Sequence, residues 1–241
     1  MNALEKFNLS NKMDGQIRDV WSLRSKEQKG NAVVTYKKSQ VLYALWHTLR
    51  NPAVKEDKPS STLSNRLDKL QSVYVPLSKE ERGGQAGIDN ECTAAQAFLT
   101  GTALSLMDAG FGLGTAGFFI HHARDSLLLQ YDRIMQNRPS WRNEKEPEDK
   151  TVWLLLQNHD LQELYPAYDR SKIEGWTGSG LPPLIINPKY AYGRDAMHQE
   201  LDGYINHSTH RHLLVVELAK MASVLTHYLE TAPVLKRGRH R

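Results

Sequence analysis

Leu213-Leu214-Val215-Val216-Glu217-Leu218-Ala219-Lys220-Met221-Ala222-Ser223-Val224-Leu225-Thr226-His227-Tyr228 is the run on which the fold class turns. Leu214, Leu218, Met221, Leu225 and Tyr228 recur at three- and four-residue steps, and Val215, Ala222 and Leu229 widen the same face. That spacing marks an amphipathic helix with its stripe toward a core. It predicts one helix from Ser208 to Glu230, preceded by another over about Arg194 to Asn206.

The same period recurs toward the N-terminus. Val41, Leu42, Leu45, Trp46 and Leu49 define a helix over Ser39 to Arg50, and Asn51-Pro52 stops it. Leu63, Leu67 and Leu70 share a face of a second helix, Thr62 to Val73. Asp89 and Asn90 are suitable N-caps for an Ala-rich helix reaching Asp108. A longer helix spans about Thr115 to Asn137, ending before Pro139. The apolar segment Thr151 to Tyr165 reads as a further helix. Gly175 to Pro188 is too rich in Gly and Pro for regular helix, and Leu184-Ile185-Ile186 within it reads as a short strand or an apolar plug. No alternating apolar/polar run of useful length is visible. The expected architecture is all-α: a bundle of about seven helices with one long irregular Gly/Pro-rich insertion. Its organisation is an N-terminal helical part (1–137), a charged loop (138–150), a C-terminal helical part (151–230) packed on the first as one domain, and a basic tail (231–241).

The 241 residues suffice to bury a core without metal or disulfide, and the 40% hydrophobic and 24% charged composition is that of a globular protein. The formal charge is +4, but Lys236, Arg237, Arg239 and Arg241 supply four basic side chains; the remainder has 27 of each sign. Electrostatic attraction to nucleic acid would therefore act through local clusters rather than overall charge. The lone cysteine, Cys92, forms no internal disulfide and reads as a small residue in the first turn of a helix. Met1 to Phe7 lacks the basic start and apolar core of a signal peptide. Ala94 to Ile120 carries a single charge, Asp108, but is diluted by Thr, Ser, Gln and Gly, so a buried helix pair is expected rather than a membrane span. These features predict a cytoplasmic protein, with peripheral membrane contact left open.

Four constellations bear on function. Gly112, Gly114 and Gly117 spell GxGxxG, with Asp132 following, but an Ala-rich helix precedes them where a dinucleotide site needs an apolar strand. No cofactor is expected, and the glycines read as a helix kink with small-residue packing. The histidines form a second set. His121-His122 with Asp125, then His159-Asp160, then Asp195, His198 and Asp202 on successive helices follow the order of HD-type metal-dependent phosphohydrolases. In those enzymes a metal lowers the pKa of a bound water. His121, His122, His159, Asp160 and Asp202 would be the ligands if they converge. Glu-x-x-His, His-Glu-x-x-His, Walker A and Gly-x-Ser-x-Gly motifs are absent from the sequence. Thirdly, the basic tail, with Lys37-Lys38, Arg138 and Arg142 near Tyr36 and Trp141, offers phosphate contacts.

Aromatics in loop-like segments are the fourth feature: Trp21, Trp141 and Trp176, with Tyr165, Tyr168, Tyr190 and Tyr192 around the irregular stretch. Such residues suit interface anchors, or a lid folded over the bundle. The expectation is a non-enzymatic adaptor or scaffold, an accessory subunit of a larger assembly; a bacterial secretion or conjugation machine is one setting. Other protein subunits are the expected partners. They would be met by Trp176, Leu184, Ile185, Ile186, Tyr190 and Tyr192, with Lys236, Arg237, Arg239 and Arg241 as a second contact. Metal-dependent phosphohydrolase and nucleic-acid binder are the alternatives.

Overall fold

A computed structural model describes residues 34–78, 81, 91–142, 145–146, 148–159, 184–207 and 212–234. The architecture that follows is that of the unit from Thr35 onward. Six helices are present among the described residues: α1 (Lys38–Leu49), α2 (Ser61–Ser72), α3 (Ala94–Asp108), α4 (Leu113–Gln136), α5 (Arg194–His207) and α6 (Ala219–Thr231). Three strands join them: β1 (Val152–His159), β2 (Leu184–Tyr192) and β3 (Leu213–Glu217).

The helices follow the periodicity in the sequence and are closed by local chemistry. Ser60 caps α2 by accepting from the Leu63 N–H at 3.1 Å. The cap of α3 is Thr93, not Asp89 or Asn90. Thr93 and Gln96 exchange hydrogen bonds of 3.1 and 2.8 Å in a capping box. Extended backbone runs as far as Thr93 because Cys92 pairs with Tyr36 in a two-way β-bridge, N–H to carbonyl at 2.8 and 2.9 Å. Cys92 therefore precedes the helix instead of lying in its first turn. At the other end of α3, Gly110 adopts φ +97°, and the Phe111 and Gly110 N–H groups return to Leu106 and Met107 carbonyls. This is a Schellman stop.

The segment Ala94 to Ile120 thus forms the expected buried helix pair, α3 packed on α4, and α1 packs closely on α6. Phe98, Leu99, Leu104, Phe119, Ile120 and Leu127 are fully or almost fully buried between them. Asp108, the one charge of that segment, pairs with Arg66 of α2. Among the described residues no helix is long and apolar enough to cross a membrane.

The fold departs from all-α in its second half. Thr151 to Tyr165 is not helical where it is described: Val152–His159 is the central strand of an antiparallel sheet of order β2-β1-β3. Val152, Leu154, Leu155 and Leu156 are all buried. A strand covered on both faces reads as a continuous apolar run, which erases the two-residue period. The expected helix 208–230 also divides. Leu213–Glu217 is β3, with Leu214 opposite Leu156 and Val216 opposite Leu154, and only Ala219–Thr231 is helical.

Leu184-Ile185-Ile186 belongs to β2, a strand and not a plug. Its register slips once: Lys189 faces Leu155 but Ile186 faces Gln157, so Asn187 and Pro188 together oppose Leu156. Proline has no N–H for a ladder, and a bulge on an outer strand is where it is tolerated.

Candidate functional site

The predicted partner segment lies largely on β2. Leu184, Ile185 and Ile186 lie opposite His159, Asn158 and Gln157 on β2, an outer strand of the sheet. Trp176 lies outside the described residues. Tyr190 and Tyr192, on the same strand, turn inward to α4. The Ser126 hydroxyl donates to the Ala123 carbonyl at 2.9 Å, which leaves the Tyr190 hydroxyl as donor in its own 2.9 Å bond to Ser126. Burial pushes the Tyr190 phenol up to about 12. Tyr192 is 44% exposed, donates to the Gln130 Oε1 at 2.9 Å and lies under the Arg133 guanidinium at 4.6 Å. Both tyrosines fasten the sheet to α4, as a lid would.

Trp141 folds back in the same way. Its ring stacks on His227 of α6 at 3.7 Å with the planes 6° apart. The loop around it is pinned to α6: Ser223 donates to the Pro139 carbonyl at 2.6 Å, and Arg138 donates to the Ser223 carbonyl at 3.1 Å and pairs with Glu230 at 3.3 Å. Lys38 is likewise paired, with Asp68. The tail residues Lys236, Arg237, Arg239 and Arg241 lie outside the described residues.

The histidine set takes structural positions where it is described. His121 bonds through Nε2 to the Val73 carbonyl at 3.0 Å, and His122 stacks on Phe118. One turn on, Arg124 grips Glu81 with bonds of 2.9 and 2.7 Å and also the Pro76 carbonyl, so this face of α4 holds the chain after α2. His159 ends a strand rather than sitting on a helix, which removes the helical setting expected for the His-Asp pair. Asp160 lies outside the described residues. Asp195, His198 and Asp202 are on α5. Among the described residues no group of three or more His, Cys, Asp or Glu side chains is placed to hold a metal.

The glycine motif is also structural. Gly112 is the N-cap of α4, Gly114 lies in its first turn, and an ideal Cβ on Gly117 would stand 3.1 Å from Val73 Cγ2. The preceding element is α3, a helix. The motif therefore serves a helix start and a close approach. Cys92 is buried, and that burial, with Glu81 adding to it, pushes the thiol up to about 11.

One cleft escaped the sequence reading. At the junction of β3 and α6, a space of about 250 Å³ is lined by Thr48, Leu49, Ser105, Glu217, Lys220, Met221 and Val224. Glu217 ends β3, and both carboxylate oxygens accept from the Lys220 N–H, at 3.0 and 2.8 Å. Burial raises its pKa from the ordinary carboxylate value, against the pull of the backbone N–H groups around it. The Lys220 ammonium points elsewhere, donating to the Ser140 carbonyl at 2.9 Å and to that of Arg142. A signal was present in the sequence: an acid three residues before Lys220, at the head of an apolar helix. Reading 208–230 as one helix concealed it. No protein-family model, curated protein or solved structure matches this chain.

Proposed function

We propose that the chain is a non-enzymatic adaptor or scaffold, a cytoplasmic accessory subunit of a larger multiprotein assembly, and that it meets a partner along Leu184 to Asn187. The observation that supports this is the outer position of β2 in the sheet. An outer strand presents backbone N–H and C=O groups away from its neighbour, and an extended segment of another protein can add to them. Among the described residues no strand pairs with that side. Pro188 and the charged Lys189 limit such pairing to the apolar half of the strand, because one lacks a donor and the other opposes edge-to-edge association. Tyr190 fastens the sheet to α4, and Tyr192, 44% exposed, does so through Gln130 while leaving ring surface for a partner.

Photo-crosslinking in the native host tests this. A benzophenone side chain at position 185 or 187 should capture one protein species that a probe at Glu230 does not. Capture at all three positions, or at none, overturns the edge reading. Stoichiometric metal in the purified protein that disappears in His159→Ala would replace it with the hydrolase alternative.

A further inference from the structure

The cleft beside Glu217 has a one-sided chemistry. Thr48 spends its only hydroxyl proton on the Ala44 carbonyl at 2.7 Å, and Ser105 directs its own to the Gly101 carbonyl at 3.0 Å, with Met221 Sδ at 3.7 Å as the weaker alternative acceptor. What each hydroxyl still offers the cleft is lone pairs. Glu217 is acceptor-only when ionised, and the Lys220 ammonium is committed to two carbonyls. No ion pair to Glu217 forms among the described residues. The remaining wall is apolar: Leu49, Met221 and Val224.

Glu217 is half-buried and held by backbone N–H groups at the start of α6 with no cation beside it, so a ligand that brings one offsets the remaining desolvation cost. An anion would meet a carboxylate and lone pairs, and an apolar ligand would desolvate the carboxylate further. A volume near 250 Å³ is below the ~300–1,000 Å³ of drug-sized pockets, so it suits one small group on an alkyl stem. We propose that this cleft binds a guanidinium or primary ammonium group, with Glu217 as its charge partner and Thr48 and Ser105 as acceptors. Leu49, Met221 and Val224 receive the alkyl stem. The cation comes either from a small free amine or from an Arg or Lys side chain of another protein. This proposal does not depend on the β2 edge.

The test is a titration of the full chain followed by the NMR signal of the Met221 methyl group. The probes are agmatine, N-acetyl-arginine methylamide and the neutral N-acetyl-citrulline methylamide, which keeps the shape without the charge. Both cations should shift the methyl signal saturably and citrulline should not. Glu217→Gln should weaken binding at least about tenfold, the scale of one lost charge-assisted contact. Val224→Phe, which fills the cleft from a half-buried position and leaves the Glu217 cap in place, should abolish binding. A preference for the arginine derivative assigns the cation to a protein side chain, and a preference for agmatine assigns it to a free amine. Equal binding of citrulline, wild-type affinity in either variant, or no saturable shift with either cation overturns the proposal.

Discussion

Gly101 and Gly117 lie on adjacent helices and answer oppositely to the same added methyl group. A Cβ on Gly101 would stand 3.5 Å from Leu45 Cδ2 and from Met221 Sδ, ordinary contact distances. Gly101→Ala should therefore gain helix propensity, stabilising by about 0.5–1 kcal/mol in urea melts. On Gly117 the same atom meets Val73 at 3.1 Å, and Val73 is 1% exposed with its carbonyl held by His121. Overpacking costs about 1–3 kcal/mol and outweighs the propensity gain, so Gly117→Ala should lose about 1 kcal/mol. Val73→Ala in that background should show favourable coupling, the pair costing less than the two single losses added. Residues of this kind were legible as types but not as roles. Tyr190 and Tyr192 stood out as aromatics beside an irregular stretch, yet nothing in a linear sequence announces Ser126 or Gln130 as their partners, more than sixty positions away. Tyr190→Phe, which leaves Ser126 its bond to Ala123, should cost about 1 kcal/mol.

The elements divide by how their burial is arranged. Helix spans were readable from three- and four-residue steps and stop signals: α1, α2, α4 and α5 begin and end within two residues of the expected bounds. The strands were hidden for different reasons. In β1 both faces are covered, so Val152 to Leu156 shows neither period and its three leucines favour helix as well as strand. In β3 the spacing from Leu214 to Leu218 to Met221 happens to continue into α6 and simulates one long helix. The weak countersign was Val215-Val216, β-branched residues at the head of the run. Burial also sets an order of local stability. Leu154 is fully buried in the central strand and belongs to the main core. Leu154→Ala should cost about 2–5 kcal/mol and loosen the sheet from α4. By contrast, α5 has no buried side chain among those described, and β2 is its main described neighbour. Hydrogen exchange should find the α5 amides opening at much lower free energy than those of β1 or the middle of α4. Equal protection in α5 and α4 would show that α5 is anchored by more than these contacts.

Among the described residues of the whole molecule, Glu146 and Asp149 have lowered pKa values and Glu217 a raised one. Asp149 and Glu217 show the two opposite effects on the dependence of stability on pH. Asp149 accepts from the Thr151 hydroxyl at 2.6 Å and from the Arg194 N–H at 2.6 Å, tying the entry to β1 to the start of α5. Those bonds, Thr151 first, hold its pKa below the ordinary 3.8. Its contribution is complete above 3.8 and is lost as pH falls through the lowered value, because the unfolded chain takes up the proton first. Glu217 works in the other direction. Burial lifts its pKa above 4.5, so the folded state holds the proton longer than the unfolded one. The stability this confers is present below 4.5 and is lost as pH rises through the raised value. Asp149→Asn should make the acid limb of the stability profile below about pH 4 shallower, leaving the share that Glu146 contributes, while the limb above pH 4.5 stays in place. Glu217→Gln should do the converse: wild-type stability falls relative to that of the variant as pH rises from 4.5, and the offset then becomes constant. Denaturant melts at half-unit pH steps measure both. Adding the arginine derivative supplies the cation that the Glu217 carboxylate lacks, lowers its pKa and moves the upper limb toward acid in wild type alone. A limb that stays in place with ligand bound would mean that the cation sits away from Glu217.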